Sequence, residues 1–203
     1  MFIDIVFPKN NEKAFIKTAE KLDIQGVCFV YDKARDLVKS KSDVQLFRAL
    51  LVRPPKLKNR LLTIAKSSAK DRNVLENGVD VIYGLGEDSK QDSVHFRRSG
   101  LNQVHCTLAN KNRIIIALPI SHMRNSTLIG RWMQNITLCQ KYEVEMCLAS
   151  FATSPWQLRA SHDLKSVGVV LGMQPAVAAS SLETVYKRLV KKVQGLPEGI
   201  EIC

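Results

Sequence analysis

Acidic residues are missing from the whole stretch Ser93 to Tyr142, although it holds Arg97, Arg98, Lys111, Arg113, Arg124, Arg131 and Lys141. Outside it acids and bases are mixed, so the formal net charge of +11 is concentrated rather than spread. A surface that attracts phosphates and holds nothing to repel them suits a polyanion ligand, because each neutralised phosphate releases condensed counterions. Other absences narrow the field. No apolar run approaches the roughly 20 residues needed to cross a bilayer. The apolar start, Phe2 to Phe7, is interrupted by Asp4 and has no basic segment before it, so it reads as a first strand and not a signal peptide. The five cysteines, Cys28, Cys106, Cys139, Cys147 and Cys203, form no CxxC pair. Scattered thiols in apolar surroundings fit a reducing interior, and a cytoplasmic location is expected.

Chemical motifs are equally sparse. Gly84-Leu85-Gly86 follows a strand-like run, but no third glycine or Lys-Ser/Thr pair completes a nucleotide-binding fingerprint. There is no G-x-S-x-G elbow. The four histidines, His95, His105, His122 and His162, include no pair spaced to share a metal ion. His162 and Asp163 are adjacent, and neighbours on a helix are expected to point apart. Aromatic residues make up only 6% of the chain and form no stripe. That argues against base stacking on a sheet and leaves recognition of RNA backbone and shape by arginine.

What is present is an alternation of strand-like and helical segments. Strands are expected at Phe2 to Phe7, Gly26 to Tyr31, Leu46 to Val52, Leu61 to Ala65, Asp80 to Tyr83, Arg113 to Leu118 and Glu145 to Ala149. Helical patterns cover Asn11 to Leu22, Ser68 to Glu76, Leu101 to Asn110, Asn125 to Tyr142, Ala160 to Leu171, Pro175 to Ala179 and Leu182 to Val193, with Gly195-Leu196-Pro197 as the stop. Mostly apolar strands alternating with helices give an α/β fold with a parallel sheet, either open or closed into a barrel. No internal repeat or linker divides the chain, so a single α/β domain over residues 1–203 is expected.

In such a layout ligands meet the C-terminal ends of strands. Arg97-Arg98, Arg124 and Arg159 fall after strands or before helices, and Arg131 lies on the long helix, so these residues can converge on one rim. Helix starts also offer backbone N–H groups to phosphate. Lys111, Arg113 and Lys141 are expected away from that rim. A second cluster, Arg53, Lys56, Lys58 and Arg60, brackets Pro54-Pro55 and reads either as a solvated loop or as an RNA contact.

The order and spacing of several pieces resemble archaeal ribonuclease P protein component 3, whose family includes the subunit shared by eukaryotic nuclear ribonuclease P and ribonuclease MRP. The pieces are Gly100-Leu101-Asn102-Gln103-Val104-His105, Leu108-Ala109-Asn110-Lys111-Asn112, Ile114 to Leu118, Arg131-Trp132-Met133, Ser150 to Ser154, Pro155-Trp156-Gln157-Leu158-Arg159-Ala160 with Asp163-Leu164, and Gly168 to Met173. The similarity is clear over about Asn73 to Leu182 and collinear before it. It implies a TIM-barrel-like fold of about seven mostly parallel strands surrounded by helices, related to the metal-dependent PHP phosphoesterases. Asp4 stands where such an enzyme opens its first metal-binding motif, but Ile5-Val6-Phe7 supplies no histidine.

The resemblance further implies a protein subunit that binds and stabilises the catalytic RNA removing the 5′ leader from precursor tRNA. No catalytic residue, metal or cofactor of its own is expected, and Mg2+ would serve the RNA. Expected partners are that RNA, a small subunit with an RRM-like fold, other ribonuclease P proteins and, indirectly, precursor tRNA, with no membrane. The family's RNA-facing positions carry over to Arg98, Asn102, Arg159 and Asp163, and further to Arg97, Arg124 and Arg131. The alternative is a degenerate PHP-type metal-dependent phosphoesterase, and a third possibility is a scaffold that touches only protein.

Overall fold

In the computed structural model, which describes residues 1–33, 36–38, 41–53, 61–68, 71–88 and 91–193, seven parallel strands follow one another around a nearly closed barrel. They are β1 (Ile3–Val6), β2 (Gly26–Tyr31), β3 (Gln45–Leu51), β4 (Leu62–Lys66), β5 (Val81–Tyr83), β6 (Ile115–Pro119) and β7 (Met146–Ala149). The spatial order is the sequence order, and every neighbouring pair is parallel. The seam between β1 and β7 is closed by one parallel bridge, Val6 with Ala152, and by the Phe7 N–H donating to the Ala152 carbonyl at 2.8 Å.

The register explains why these strands are apolar throughout. Ile3, Ile5, Cys28, Val30 and Ile64 face the barrel interior, whereas Val6, Val27 and Phe29 face the outer layer, and both sets are buried. Strands covered on both faces carry no polar alternation. Truncating a fully buried interior residue such as Ile64 to alanine costs about 2–5 kcal/mol.

The outer layer holds α1 (Glu12–Lys21), α2 (Asp71–Asn77), α3 (Gln103–Lys111), α4 (Ser126–Lys141), α5 (Ser161–Val170) and α6 (Pro175–Ser181). Among the described residues no helix joins β2 to β3 or β3 to β4. Three αβ corners share one construction. Asp23, Arg113 and Glu143 adopt positive φ, and the next residue donates its N–H back into the helix: Ile24 to Ala19, Ile114 to Ala109 and Val144 to Cys139. This closes each helix with the 6→1 bond of a Schellman motif and turns the chain directly into the next strand. The helices therefore begin at the C-terminal end of the barrel and finish at its N-terminal end.

The last helix, α7 (Thr184–Val193), lies across that N-terminal end. Val185 and Leu189 enter the barrel interior. Lys192 donates to the Leu61 carbonyl at 3.0 Å and to Asp80, and Arg188 reaches the Arg113 carbonyl at 2.6 Å and Glu145 at 3.1 Å. Asp80 is buried and also accepts from the Thr63 N–H and hydroxyl, each at 2.7 Å. The expected element order is thus present, with boundaries displaced by one to three residues at most ends. The stop at 195–197, Cys203 and the basic positions Lys56, Lys58 and Arg60 lie outside the described residues. No described helix is long and apolar enough to cross a membrane.

Candidate nucleic-acid interface

The connections after β5, β6 and β7 leave three adjacent strands at the C-terminal end, so their basic residues share one side of the rim. After β5 the chain forms a loop whose ends are pinched together. A Cβ on Gly100 would lie 3.0 Å from the Gly86 backbone nitrogen, and a Cβ on Gly86 would lie 3.1 Å from the Ser99 carbonyl. Both glycines have positive φ, so neither position tolerates a side chain.

This loop is fastened to α4 from below. Arg131 donates through Nε to Asp92 at 2.7 Å and through Nη1 to the Gly86 carbonyl at 2.6 Å, and Asn135 donates to the Ser99 carbonyl at 2.9 Å. Arg97 rests over Gly130 and bonds its carbonyl at 3.0 Å. Asp92 accepts from the Arg98 N–H, and with Arg131 this holds its carboxyl below the usual range. Arg131 is only 2% exposed. The expectation that it faces RNA is corrected: its charge is spent inside the protein, where it positions the loop that displays Arg97 and Arg98.

Arg98 and Arg124 are exposed, and no described acidic group pairs with either. Arg124 directly precedes Asn125, whose side chain caps α4 by accepting from the Leu128 N–H at 2.9 Å. Asn102 caps α3 in the same way, accepting from the His105 N–H at 2.9 Å. Its oxygen is occupied by the helix, so its amide nitrogen is the group left to face a ligand. After β7, Arg159 is exposed, and its Nη1 bonds the Trp156 and Leu158 carbonyls at 2.9 and 2.7 Å.

Asp163 lies in the first turn of α5, where the helix dipole favours negative charge. His162 does reach it, at 3.0 Å, contrary to the expectation that the two point apart. As expected, Lys111, Arg113 and Lys141 sit at helix ends or before β6, on the opposite end of the barrel.

The mouth of the barrel is filled by rings. Phe151 stacks on Tyr83 with centroids 4.9 Å apart, and Phe7 lies 5.6 Å from Tyr83. His122 and Glu87 bond each other at 2.8 Å beside them. Burial, followed by the charge of Glu87, pushes the Tyr83 hydroxyl up to about 12. Asp4 does not point into this mouth. It shares the outer face with Val27, and its Oδ1 accepts from the Ser150 N–H at 2.6 Å and the Ile5 N–H at 2.9 Å, tying β1 to the segment after β7. Burial raises its carboxyl to about 6, with the two N–H groups pulling the other way. The residues at the mouth do not fit a metal centre, and no described cluster of three or more His, Cys, Asp or Glu residues could hold a metal ion.

One exposed group escaped the sequence reading. Trp156 is 89% exposed, on the 3-10 turn Pro155–Gln157. The signal available was its place between Pro155 and Arg159 in a polar segment.

The class is a seven-stranded parallel α/β barrel whose C-terminal rim carries exposed arginines with no described acidic partner. No family model matches the chain. Ribonuclease P protein component 3 of Methanosarcina mazei is 31% identical over 153 residues, covering 70% of this chain and 61% of that protein. The Methanosarcina acetivorans protein is 30% identical with the same coverage, and that of Thermococcus kodakarensis is 26% identical over 129 residues. The chain spans about three fifths of the length of the Methanosarcina relatives.

A chain in the structure of archaeal ribonuclease P with mature tRNA superposes with a TM-score of 0.73 at 20% identity, covering 98% of this chain and 97% of the other. Histidinol phosphate phosphatase from Lactococcus lactis, solved with zinc, L-histidinol and phosphate, gives a TM-score of 0.57 at 8% identity, with coverage of 85% and 94%. The shared barrel accounts for that second likeness. In sequence, the chain is similar to archaeal ribonuclease P protein component 3 over about 70% of its length.

Proposed function

We propose that this chain is a protein subunit of ribonuclease P that binds and stabilises the catalytic RNA through the rim after β5, β6 and β7. The observation that carries this reading is the rim's charge. Arg98, Arg124 and Arg159 stand exposed at three neighbouring strand ends with no described acidic partner, on a rigid support. Cations held this way neutralise phosphates where RNA helices approach one another, which favours the RNA fold that places its own Mg2+ ions. Catalysis then belongs to the RNA, and the isolated chain cleaves nothing. A small RRM-like subunit and other ribonuclease P proteins complete the particle, and precursor tRNA is met indirectly.

Reconstitution with the catalytic RNA tests this reading by precursor-tRNA cleavage across a Mg2+ titration. The chain should lower the Mg2+ requirement, and Arg159→Ala should raise it again. Normal assembly of Arg159→Ala with an unchanged Mg2+ dependence would remove that residue from the interface. Metal analysis and a phosphodiesterase assay on the isolated chain address the enzyme alternative, for which turnover with bound metal is required.

A further inference from the structure

We propose that Trp156 is a stacking platform for an unpaired base of the bound RNA, with the Arg159 guanidinium beside it receiving that nucleotide's phosphate. This rests on the RNA-binding reading above and adds a contact that arginine recognition of backbone and shape does not require.

The indole is exposed, but its support is rigid. Pro155 opens the 3-10 turn with a fixed φ. Gln157 folds back so that its Oε1 accepts from the Thr153 N–H at 2.8 Å, the Thr153 hydroxyl at 3.1 Å and the Ser154 N–H at 3.1 Å. Leu158 is buried beneath, and Arg159 bonds the carbonyl of Trp156 itself at 2.9 Å. A tryptophan could bury about 150–250 Å² of surface elsewhere. Here the chain holds it out in water on a backbone that has already lost its freedom, which lowers the entropy cost of binding.

The surroundings select a base over a protein partner. A protein hot spot sits within a ring of contacts that exclude water. Around Trp156, the segment from Thr153 to Gly168 contains no other exposed large apolar side chain. Val169 and Val170 are at the far end of α5, roughly 14 Å along the helix. The turn packs against α1, whose exposed residues include Lys13, Lys17 and Glu20. An exposed ring with a guanidinium beside it can hold a nucleotide, since every base offers a π-face and every linkage a phosphate. Asp163 repels phosphate from the α5 N-terminus, so the phosphate goes to Arg159, and Asp163 is left to accept from a ribose or base N–H or O–H group.

The two tryptophans differ sharply in exposure, Trp132 being 1% exposed, so acrylamide-accessible emission reports Trp156. The probe is the catalytic RNA of ribonuclease P, added to the full chain. Stacking should quench and shield the accessible emission. Trp156→Leu should weaken RNA affinity about 5- to 100-fold, while Trp156→Phe stays within about threefold of the parent. Retained Trp132 emission checks that the variants are folded.

An unshielded Trp156 in the wild-type complex overturns the proposal, as does a leucine variant that binds like phenylalanine. A leucine variant that keeps RNA but loses the small protein subunit also overturns it and assigns the ring to protein. RNA that fails to bind the wild-type chain sinks the RNA-binding reading itself, and the stacking with it.

Discussion

Both ends of this barrel are rich in arginine and lysine, yet the two sets of charges are held in opposite ways. At the N-terminal end, Arg188 and Lys192 of α7 converge on the buried Asp80, with Glu145 and two backbone carbonyls completing the latch. At the C-terminal end, Arg98, Arg124 and Arg159 stand exposed with no described acid opposite them. Composition cannot separate these sets, because the residue types are the same. What separates them is where the acids fall. Asp80 and Glu145 flank strand starts, whereas the connections after β6 and β7 hold no acid before Asp163. Arg131 lies between the extremes: it belongs to the rim side in sequence but is consumed by Asp92.

The comparison breaks first at Asp80. Asp80→Ala takes the buried carboxylate from Arg188 and Lys192 and leaves Thr63 without its acceptor, so it should cost about 3–5 kcal/mol in chemical denaturation. RNA affinity per folded molecule should not change. A loss of affinity without a loss of stability would show that the two ends are not separate in function.

Asp4 gives the next effect. Its carboxyl is raised to about 6 from an ordinary 3.8, so the fold disfavours the charged form. The stabilising contribution is then complete below about pH 4 and is lost as pH rises through 6, a change of about 3 kcal/mol. Asp4→Asn should flatten the stability profile between pH 4 and 7, and a parent profile already flat there would contradict the assignment.

Arg131→Ala should cost about 2 kcal/mol, because the Gly86 carbonyl and Asp92 each lose a charged donor. Hydrogen exchange should accelerate across residues 92–99 while the β-strand cores stay protected. Uniform exchange across the chain would mean that Arg131 supports the whole fold and not the loop.

The strands were legible in the sequence because burial on both faces leaves continuous apolar runs such as Gly26 to Tyr31. Barrel closure was not, since one bridge at Val6 and the turned carboxyl of Asp4 complete the ring across almost the whole barrel segment. Arg131 was readable in hindsight. Leu128, Arg131, Trp132, Asn135, Ile136 and Cys139 form one buried stripe on α4, and an arginine on that stripe must find internal partners. Asp80 gave no local sign, because its partner Lys192 is 112 residues away. The place of Arg98, Arg124 and Arg159 on the rim was legible because strand ends and helix starts are visible in the pattern.

The central claim is that the rim after β5, β6 and β7 carries RNA. The most direct measurement is the salt dependence of binding to the catalytic RNA for three chains: the parent, Arg98→Ala/Arg124→Ala/Arg159→Ala, and Lys187→Ala at the opposite end, where Lys187 pairs with Glu183. Each lost phosphate contact should reduce the slope of log affinity against log salt by about one. The triple variant should therefore flatten by about three with its stability within about 0.5 kcal/mol of the parent, while Lys187→Ala leaves the slope unchanged. An unchanged slope in the triple variant would contradict the account.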